Sequence, residues 1–285
     1  MDADNTLILD AATLSNANFT LQIGALRVGA LELSDTGPVP GWLRRLSPPD
    51  WQRGVSLESH ESAVKAAWLA LIVAITRTCG VSWLTELDAL VAAENKITQM
   101  TVARQLGVPV PETIVTNDTN ALAAAFPDGF VIKPLGPGHF YQGDKALVVY
   151  ASVLRPDSPE LAALGAAPFL VQRRLRALQH LRVGTVRDQV WAAALDADNW
   201  PLDWREASAA HKSFEPAVPP VEVAHGAAAL TTSLKLGYSS QDWLVCRDGC
   251  YVVDINPAGQ WLFLPEPIAT SVSQAIAHWL NRDFK

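Results

Sequence analysis

Two strand-like segments separated by the turn residues Arg247-Asp248-Gly249 make residues 241–256 a strong signal for an antiparallel hairpin. A three-residue loop, in which the glycine takes the positive-φ position of a β-bulge, predicts that Asp242 faces Asp254. Because side chains alternate along a strand, Asn256 shares the face of Asp254. We therefore expect two carboxylates and an amide oxygen on one face of a sheet.

The register of this hairpin depends on the length of its loop. The three-residue loop places Cys246 opposite Cys250, whereas a two-residue Asp-Gly turn would pair Asp242 with Ile255 and turn it away from Asp254. We expect the three-residue loop. Its convergent oxygen atoms suit Mg²⁺, which commonly keeps water and nucleotide phosphates as its other ligands. The alternative is that both aspartates are ordinary solvent-facing strand residues, because hairpin strands often alternate apolar and polar positions.

Two lysines stand out because lysine is a rare residue in this chain. Lys133 closes the apolar segment Phe130-Val131-Ile132-Lys133-Pro134, where it is either an edge-strand charge that aids solubility or a cation for a nucleotide phosphate. Lys96 lies near the start of a predicted helix and is ambiguous alone, since a solvated helix residue would look the same. The lysines therefore suggest a phosphate site without establishing one.

Composition narrows the class of protein. With 49% hydrophobic and 18% charged residues the chain can bury a core, and a net charge of −7 without a basic cluster argues against nucleic-acid binding. Cys79, Cys246 and Cys250 are an odd number without metal-type spacing, so reduced thiols are expected. No basic segment precedes an apolar run at the N-terminus, and the apolar stretch 66–75 is too short to span a bilayer. We expect a cytoplasmic protein without a membrane segment.

Hydrophobic periodicity and turn residues predict a mixed α+β chain. Strands are expected at 6–9, 25–33, 112–116, 129–134, 146–150, 169–172, 181–186 and 190–195. Helices are expected at 58–78, at 94–106 with Gly107 after its end, from Asn117 or Asp118 to 126, at 221–236 and at 270–280. Residues 41–45 are expected to form a loop or a strand edge.

Six segments resemble, in order and spacing, the landmarks of the ATP-grasp ligases. They are Asn95-Lys96, Gln105 to Thr113, Val131 to Pro134, Leu170 to Gln172, Leu181 to Val186 and Asp254 to Trp261. Leu43-Arg44-Arg45, Pro111 to Asp118 and the Asn-Pro-x-Gly-Gln-Trp ending most resemble the maturases of graspetides, microviridin-type peptides cross-linked through their side chains. The likeness covers about residues 40 to 280.

The resemblance implies an α+β ATP-grasp fold, in which two lobes sandwich ATP. It implies a shortened N-terminal domain at 1–93, a small lobe at 94–175 and a C-terminal lobe with the metal site at 176–285. The glycine-containing loop 136–140 would be the flap over the triphosphate. The shortened first domain leaves precursor recognition open, and a homodimer is compatible with this organisation.

The resemblance also assigns residues to an ATP and Mg²⁺ site. The cations for the ATP phosphates would be Lys96 and Lys133. The hinge whose backbone meets adenine would be Gln172, Arg173, Arg174 and Leu175. The cations for the γ-phosphate or an acyl phosphate would be Arg182 and Arg205. The Mg²⁺ ligands would be Asp242, Asp254 and Asn256.

Simpler interpretations stay open for these residues. Arg182 could pair with a neighbouring strand, and Arg205 could stack on Trp204.

Two departures from the family pattern also matter. His180 occupies a position where several relatives carry an acid, and Asp254 stands where glutamate is common.

The implied reaction joins a carboxylate to an amine or hydroxyl through an acyl phosphate, with release of ADP and phosphate. Three functions follow. The first is a maturase that cross-links a precursor peptide carrying acidic and Ser, Thr or Lys residues, which Arg44-Arg45 and the ending 256–261 favour. The second is a ligase for small molecules such as amino acids and a carboxylate, which the shortened N-terminal region favours. The third is a non-catalytic nucleotide-binding module.

Overall fold

The computed structural model describes residues 19–22, 25–28, 31–34, 39–44, 59–78, 80–136, 138–142 and 145–282. The strand predicted at 6–9 lies outside these residues, as do Arg45 and Cys79. The chain divides into two compact units, one formed by residues 1–91 and 273–285 and the other by residues 92–272. All of the predicted site residues belong to the second unit.

The first unit contains a small antiparallel sheet and a strand–helix–strand element. The single strand predicted at 25–33 is wrong, because this segment forms two strands, β2 and β3, that pair with each other. The three strands of the sheet are β1 (Phe19–Gln22), β2 (Ala25–Val28) and β3 (Leu31–Ser34). The other element consists of β4 (Val39–Gly41), α1 (His60–Thr78) and β5 (Val81–Trp83), with β4 parallel to β5. The α1 bounds confirm the predicted helix.

Two helices follow β5, and the second of them lies wholly within the second unit. They are α2 (Leu87–Ala93) and α3 (Lys96–Gln105). The Asn95 side chain caps α3 by accepting hydrogen bonds from the amides of Ile97 and Thr98. Gly107, at φ +71°, follows the helix end as predicted, because glycine tolerates this left-handed backbone. The cap fixes where α3 begins and therefore where Lys96 lies.

The small lobe is built on a four-stranded antiparallel sheet in the order β10-β7-β11-β6. Its strands are β6 (Thr113–Thr116), β7 (Phe130–Pro134), β10 (Ser152–Leu154) and β11 (Phe169–Arg173). Helix α4 (Thr119–Ala125), capped by Asp118, supplies Leu122 to a core that includes Phe130 and Ile132 of β7. Since alternate residues of a strand face opposite ways, Lys133 lies on the other face of this sheet.

The predicted flap region is a hairpin in the structure. β8 (His139–Gln142) pairs with β9 (Lys145–Val148). The expected strand at 146–150 therefore begins one residue and ends two residues earlier, and the last two residues of the expected loop at 136–140 belong to β8.

A five-stranded antiparallel sheet in the order β14-β13-β12-β15-β16 follows the small-lobe sheet. This sheet and the helix packed on it are called the large lobe below. Its strands are β12 (Ala177–Val186), β13 (Gln189–Asp196), β14 (Glu215–Ala217), β15 (Tyr238–Cys246) and β16 (Gly249–Asn256). Helix α5 (Val221–Ser233) packs through Val223, Ala227 and Leu230 against Val183 and Trp243 on one face of the sheet. The opposite face, which carries Arg182, Asp242, Asp254 and Asn256, is called the site face below.

The chain closes with α6 (Ile268–Leu280), close to the predicted bounds. Within the described part of the chain, no helix is both long enough and apolar enough to cross a membrane.

Candidate active site

The loop of the β15–β16 hairpin differs from the prediction. Cys246 pairs with Gly249, so the loop contains two residues, and the expected pairing of Cys246 with Cys250 is wrong. Gly249 does have the expected positive φ, at +145°. If this register continued along the hairpin, Asp242 would lie opposite Val253.

A β-bulge at Val253 restores the predicted carboxylate pair. The register shifts by one residue between Asp242 and Trp243, so that Asp242 pairs with Asp254 and Ser240 with Asn256. The extra residue turns Asp254 onto the same face as Asp242. The bulge therefore creates the oxygen-rich surface that the sequence predicted from a different loop.

Both predicted phosphate-binding lysines meet this hairpin. Lys96 Nζ lies 3.2 Å from Asp254 Oδ1, and Lys133 Nζ donates to the carbonyl oxygen of Val253 over 2.9 Å. The lysines come from α3 and from the small-lobe sheet, while Val253 and Asp254 belong to the large lobe. The structure thus brings Lys96, Lys133 and Asp254 together around the bulge.

A buried glutamine that the sequence did not reveal fixes α3 beside β16. The Gln99 side chain donates to the carbonyl of Ile255 over 2.6 Å and accepts from its amide over 3.0 Å. It also donates to the carbonyl of Ala93 over 2.7 Å. Gln99 therefore satisfies edge-strand groups that would otherwise be buried without partners, and it sets the distance between Lys96 and Asp254.

The charges around the bulge shift one another's proton affinity. Burial raises the pKa of Asp254, but Lys96, Lys133 and Arg205 outweigh this effect and hold that pKa below its usual value. Burial lowers the pKa of Lys133, an effect that the attraction of Asp254 opposes without reversing. Asp254 consequently stays ionised at neutral pH and can serve as an anionic ligand.

Arg182 pairs across the sheet with Asp242. Its Nη1 lies 2.8 Å from Asp242 Oδ1, and only 7% of the Arg182 side chain is exposed. Its guanidinium lies over the ring of Trp204, 5.9 Å from the centroid. Arg182 Nε is buried and has no hydrogen-bond partner in the described residues. The suggested pairing of Arg182 with a neighbouring strand is confirmed.

Arg205 is held by a buried carboxylate rather than by an aromatic ring. Its Nε lies 2.7 Å from Asp203 Oδ1 and its Nη2 lies 2.6 Å from Asp203 Oδ2, so the pair is bidentate. Asp203 also accepts a hydrogen bond from the amide of Ala151, which precedes β10 of the small lobe. Burial raises the pKa of Asp203, but the hydrogen bonds from Arg205 outweigh this effect and hold that pKa below its usual value.

The position of Arg205 is set by Asp203 and not by the suggested stacking on Trp204, because the guanidinium over that ring belongs to Arg182. Roughly half of the Arg205 side chain remains exposed. Its charge also acts on Asp254, whose pKa it helps to lower. Asp203 is a further residue that sequence reasoning missed, although its position two residues before Arg205 was a usable signal.

The predicted hinge joins the two lobes, since it runs from the end of β11 to the start of β12. Gln172 is buried and donates to Thr113 Oγ1 over 3.1 Å, whereas Arg173 pairs with Glu112 at the surface. Arg174 is exposed and Leu175 is half-buried. The backbones of Gln172 and Arg173 still belong to the small-lobe sheet, where they pair with Val131 and Phe130. Only Arg174 and Leu175 lie in the link to β12, and the contact of this segment with adenine stays a prediction.

The donor set on the site face fits Mg²⁺. One carboxylate oxygen of Asp242 accepts a hydrogen bond from Arg182, and one of Asp254 accepts from Lys96. Asn256 Oδ1 accepts from the amide of Ala258 over 3.0 Å. Among the described residues, no hydrogen bond occupies the second oxygen of either aspartate. No group of three His, Cys, Asp or Glu side chains forms a metal cluster within the described residues. Such a site suits an ion that retains water and phosphate ligands.

The turn after β16 packs tightly on this surface. A Cβ atom on Gly259 would lie 2.5 Å from Ser240 Cβ, 3.1 Å from Arg182 Nη2 and 3.3 Å from Asn256 Cβ. The buried Tyr238 hydroxyl donates to the Gly259 carbonyl over 2.8 Å and pins the turn in place. Glycine is therefore required here by the close approach of the turn to the sheet.

We expect Gly259→Ala to lower turnover at least about 100-fold, because Arg182 and Asn256 must shift while small overpacking costs only about 1–3 kcal/mol of stability. Turnover and thermal unfolding measured together separate the two effects. The double variant Ser240→Gly/Gly259→Ala removes the tightest clash and should recover much of the activity. Wild-type turnover in the single variant would contradict this role of Gly259.

Comparison with known proteins reveals the fold. No protein-family model matches the sequence, and no curated protein matches it. Among solved structures, the macrocyclase MdnC of Microcystis aeruginosa MRC, bound with precursor peptide MdnA, is similar with a TM-score of 0.76 at 23% identity. The match covers 93% of this chain and 87% of MdnC.

Two further ligases are similar. A RiPP-associated ATP-grasp ligase of Chryseobacterium gregarium, in complex with ADP and a leader and core peptide, gives a TM-score of 0.76 at 20% identity, covering 91% of this chain and 83% of that one. The ATP-grasp ligase PsnB, complexed with minimal precursor, Mg and ADP, gives 0.68 at 19% identity, covering 94% and 86%. The chain therefore has the α+β ATP-grasp fold, as predicted.

Proposed function

We propose that this chain, with its ATP-grasp fold, is an ADP-forming ligase that cross-links a precursor peptide through side-chain amides or esters. The observation that carries the proposal is the cluster of Lys96, Lys133 and Asp254 around the bulge of β16. It places cations from the small lobe and α3 beside a carboxylate of the large lobe. A nucleotide triphosphate bound between two lobes needs this combination of charges.

The residues have separate tasks in the proposed reaction. Lys133 and Lys96 neutralise ATP phosphates, and the hinge 172–175 offers backbone groups to adenine. Arg182 and Arg205 bind the transferred phosphoryl group, whose negative charge spreads over its oxygens. The oxygens of Asp242, Asp254 and Asn256 would hold Mg²⁺. When bound, the ion supplies additional positive charge to the phosphates.

The chemistry requires no nucleophile from the protein. A carboxylate of the substrate attacks the γ-phosphorus of ATP, and ADP leaves. The resulting acyl phosphate is then attacked by an amine or hydroxyl, and inorganic phosphate leaves. The chain's cations stabilise both charged species, while the hairpin β8–β9 would limit access of water to the acyl phosphate.

The peptide substrate is proposed from the similar structures. MdnC was solved with a precursor peptide, and the C. gregarium ligase was solved with ADP and a leader and core peptide. For this chain we propose a precursor peptide with Asp or Glu as the donor and Ser, Thr or Lys as the acceptor. We further propose a cytoplasmic enzyme, whose assembly as a homodimer can be checked by light scattering.

Incubation with ATP, Mg²⁺ and any short acidic peptide encoded beside the gene tests this function. We expect ADP release together with loss of one water from the peptide for each linkage. The same assay with free amino acids is the comparison for a small-molecule ligase.

Three results would overturn the proposal. Release of AMP would contradict the acyl-phosphate route. ADP formation with free amino acids but not with the peptide would favour the small-molecule ligase. Nucleotide binding without any product would indicate the non-catalytic module.

A further inference from the structure

Proton transfer in the second half-reaction lacks an assigned residue. The acceptor hydroxyl or amine must lose a proton when it attacks the acyl phosphate. The carboxylates near the site are already paired with cations, Asp242 with Arg182, Asp254 with Lys96 and Asp203 with Arg205. Ion pairing makes these carboxylates weaker bases, so a group outside these pairs is better suited to accept the proton.

His180 lies on the site face of the large-lobe sheet. In β12 it pairs with Leu195 on one side and Leu244 on the other, in the same regular register that pairs Arg182 with Asp242. Because residues two apart share a face and lie about 7 Å apart along a strand, the His180 side chain stands beside Arg182. Arg182 is the proposed cation for the acyl phosphate, so His180 borders the point of attack.

The imidazole of His180 is half-buried and uncommitted. Within the described part of the chain, it makes no hydrogen bond to another side chain and no ion pair within 4.0 Å of a carboxylate. It is thus separated from the proposed metal ligand Asp242, which the structure pairs with Arg182. A free imidazole at this position can approach a bound acceptor group.

The surroundings of His180 keep it neutral. Burial lowers its pKa below the usual value, and the negative charges that face it, Asp242 from β15 and Asp203 from the segment after β13, oppose this effect without reversing it. The positive charge nearest along its own strand is Arg182. Neutral imidazole is the form that can accept a proton at pH 7.

We propose that His180 is the general base for acceptor attack. Resting on the proposed function, this step forms a bond between the acceptor O or N atom and the acyl carbon. The bond from that carbon to the phosphate oxygen breaks, inorganic phosphate leaves with its electron pair, and the acceptor proton moves to an imidazole nitrogen. Solvent then takes the proton from the imidazolium.

Trapping with hydroxylamine separates the two half-reactions. Hydroxylamine attacks an acyl phosphate without help from a base, so hydroxamate formation reports the first half-reaction. In His180→Asn, with a short acidic peptide that the wild-type protein cross-links, we expect cross-linking to fall about 100-fold or more. Hydroxamate formation should stay within about threefold of the wild type, because the residues that bind ATP are intact. Gln179→Ala, at an exposed position next to His180 in the same strand, is the control and should change neither rate.

The outcomes are distinct. Equal losses of hydroxamate and cross-link in His180→Asn would assign His180 to folding or ATP binding and overturn its role as a base. Unchanged cross-linking would overturn it as well. If the wild-type protein forms neither ADP nor hydroxamate, the proposed function itself fails.

The pH dependence provides a second readout. The wild-type transfer rate should fall on the acid side as His180 becomes protonated, and the burial that lowers the pKa of His180 moves this fall toward lower pH. His180→Asn should lose this acid limb while hydroxamate formation keeps its pH profile. An acid limb that persists unchanged in the variant would contradict the proposal.

Discussion

Lys133→Met should reduce kcat/KM for ATP by about 100- to 1000-fold, the effect of removing one charge-stabilising donor from a preorganised site. Methionine keeps the apolar stem of the lysine and removes its charge together with its hydrogen-bond donors. The Lys133 ammonium group also donates to the Val253 carbonyl over 2.9 Å, so the variant leaves that carbonyl without this donor. ATP binding by calorimetry and turnover by ADP release measure the loss.

Lys235→Met is the matched control, since this lysine is exposed in the large lobe away from the site face. It should change neither binding nor turnover. Lys133→Arg should retain part of the activity, because the charge remains while its position changes. Wild-type kcat/KM in Lys133→Met, or a loss of stability with unchanged ATP affinity, would show that Lys133 serves only to hold the bulge of β16.

Sequence reasoning found the hairpin and its carboxylate pair, but for an incorrect reason. Alternation and the Asp-Gly dipeptide identify two strands, yet the loop has two residues and the correct pairing of Asp242 with Asp254 comes from the bulge. The groups that bind the backbone around this bulge are Lys133, 120 residues away, and Gln99, 156 residues away. A local pattern contains no information about such distant partners.

The cations were easier to identify than the residues that position them. Lys133 is conspicuous because it closes an otherwise apolar strand, and Arg182 because it stands between Leu181 and Val183. Asp203 and Gln99 look like ordinary polar residues in the sequence, and their importance follows from burial, which depends on packing between distant segments. Buried polar groups need partners, so the residues that complete a site are often those with the weakest sequence signal.

Arg205 illustrates the same limit. The neighbouring Trp204 suggested a local contact, whereas the guanidinium over that ring belongs to Arg182 from β12. Adjacent residues in a short turn point in different directions, so sequence proximity is weak evidence for side-chain contact. The fold class, by contrast, follows from many segments in order, and errors in single elements such as the strand at 25–33 do not change it.

Asp254→Asn should have an effect at least as large as Lys133→Met. The substitution removes the one charge that Lys96 and Lys133 share, and it takes a carboxylate from the proposed Mg²⁺ ligands. We expect turnover to fall about 1000-fold or more, since charge neutralisation and positioning of the phosphates are lost together. The Mg²⁺ concentration at half-maximal rate should rise at least about 100-fold, beyond the usual effect of losing an outer-shell partner.

Asp248→Asn is the matched control, because this aspartate lies in the loop of the same hairpin and is exposed. It should leave the Mg²⁺ dependence unchanged. Because asparagine can still accept a hydrogen bond from Lys96, a drop in activity with a normal unfolding midpoint isolates the charge of Asp254 from its packing. An unchanged Mg²⁺ dependence would mean that Asp254 only neutralises the two lysines and is not a ligand of the metal.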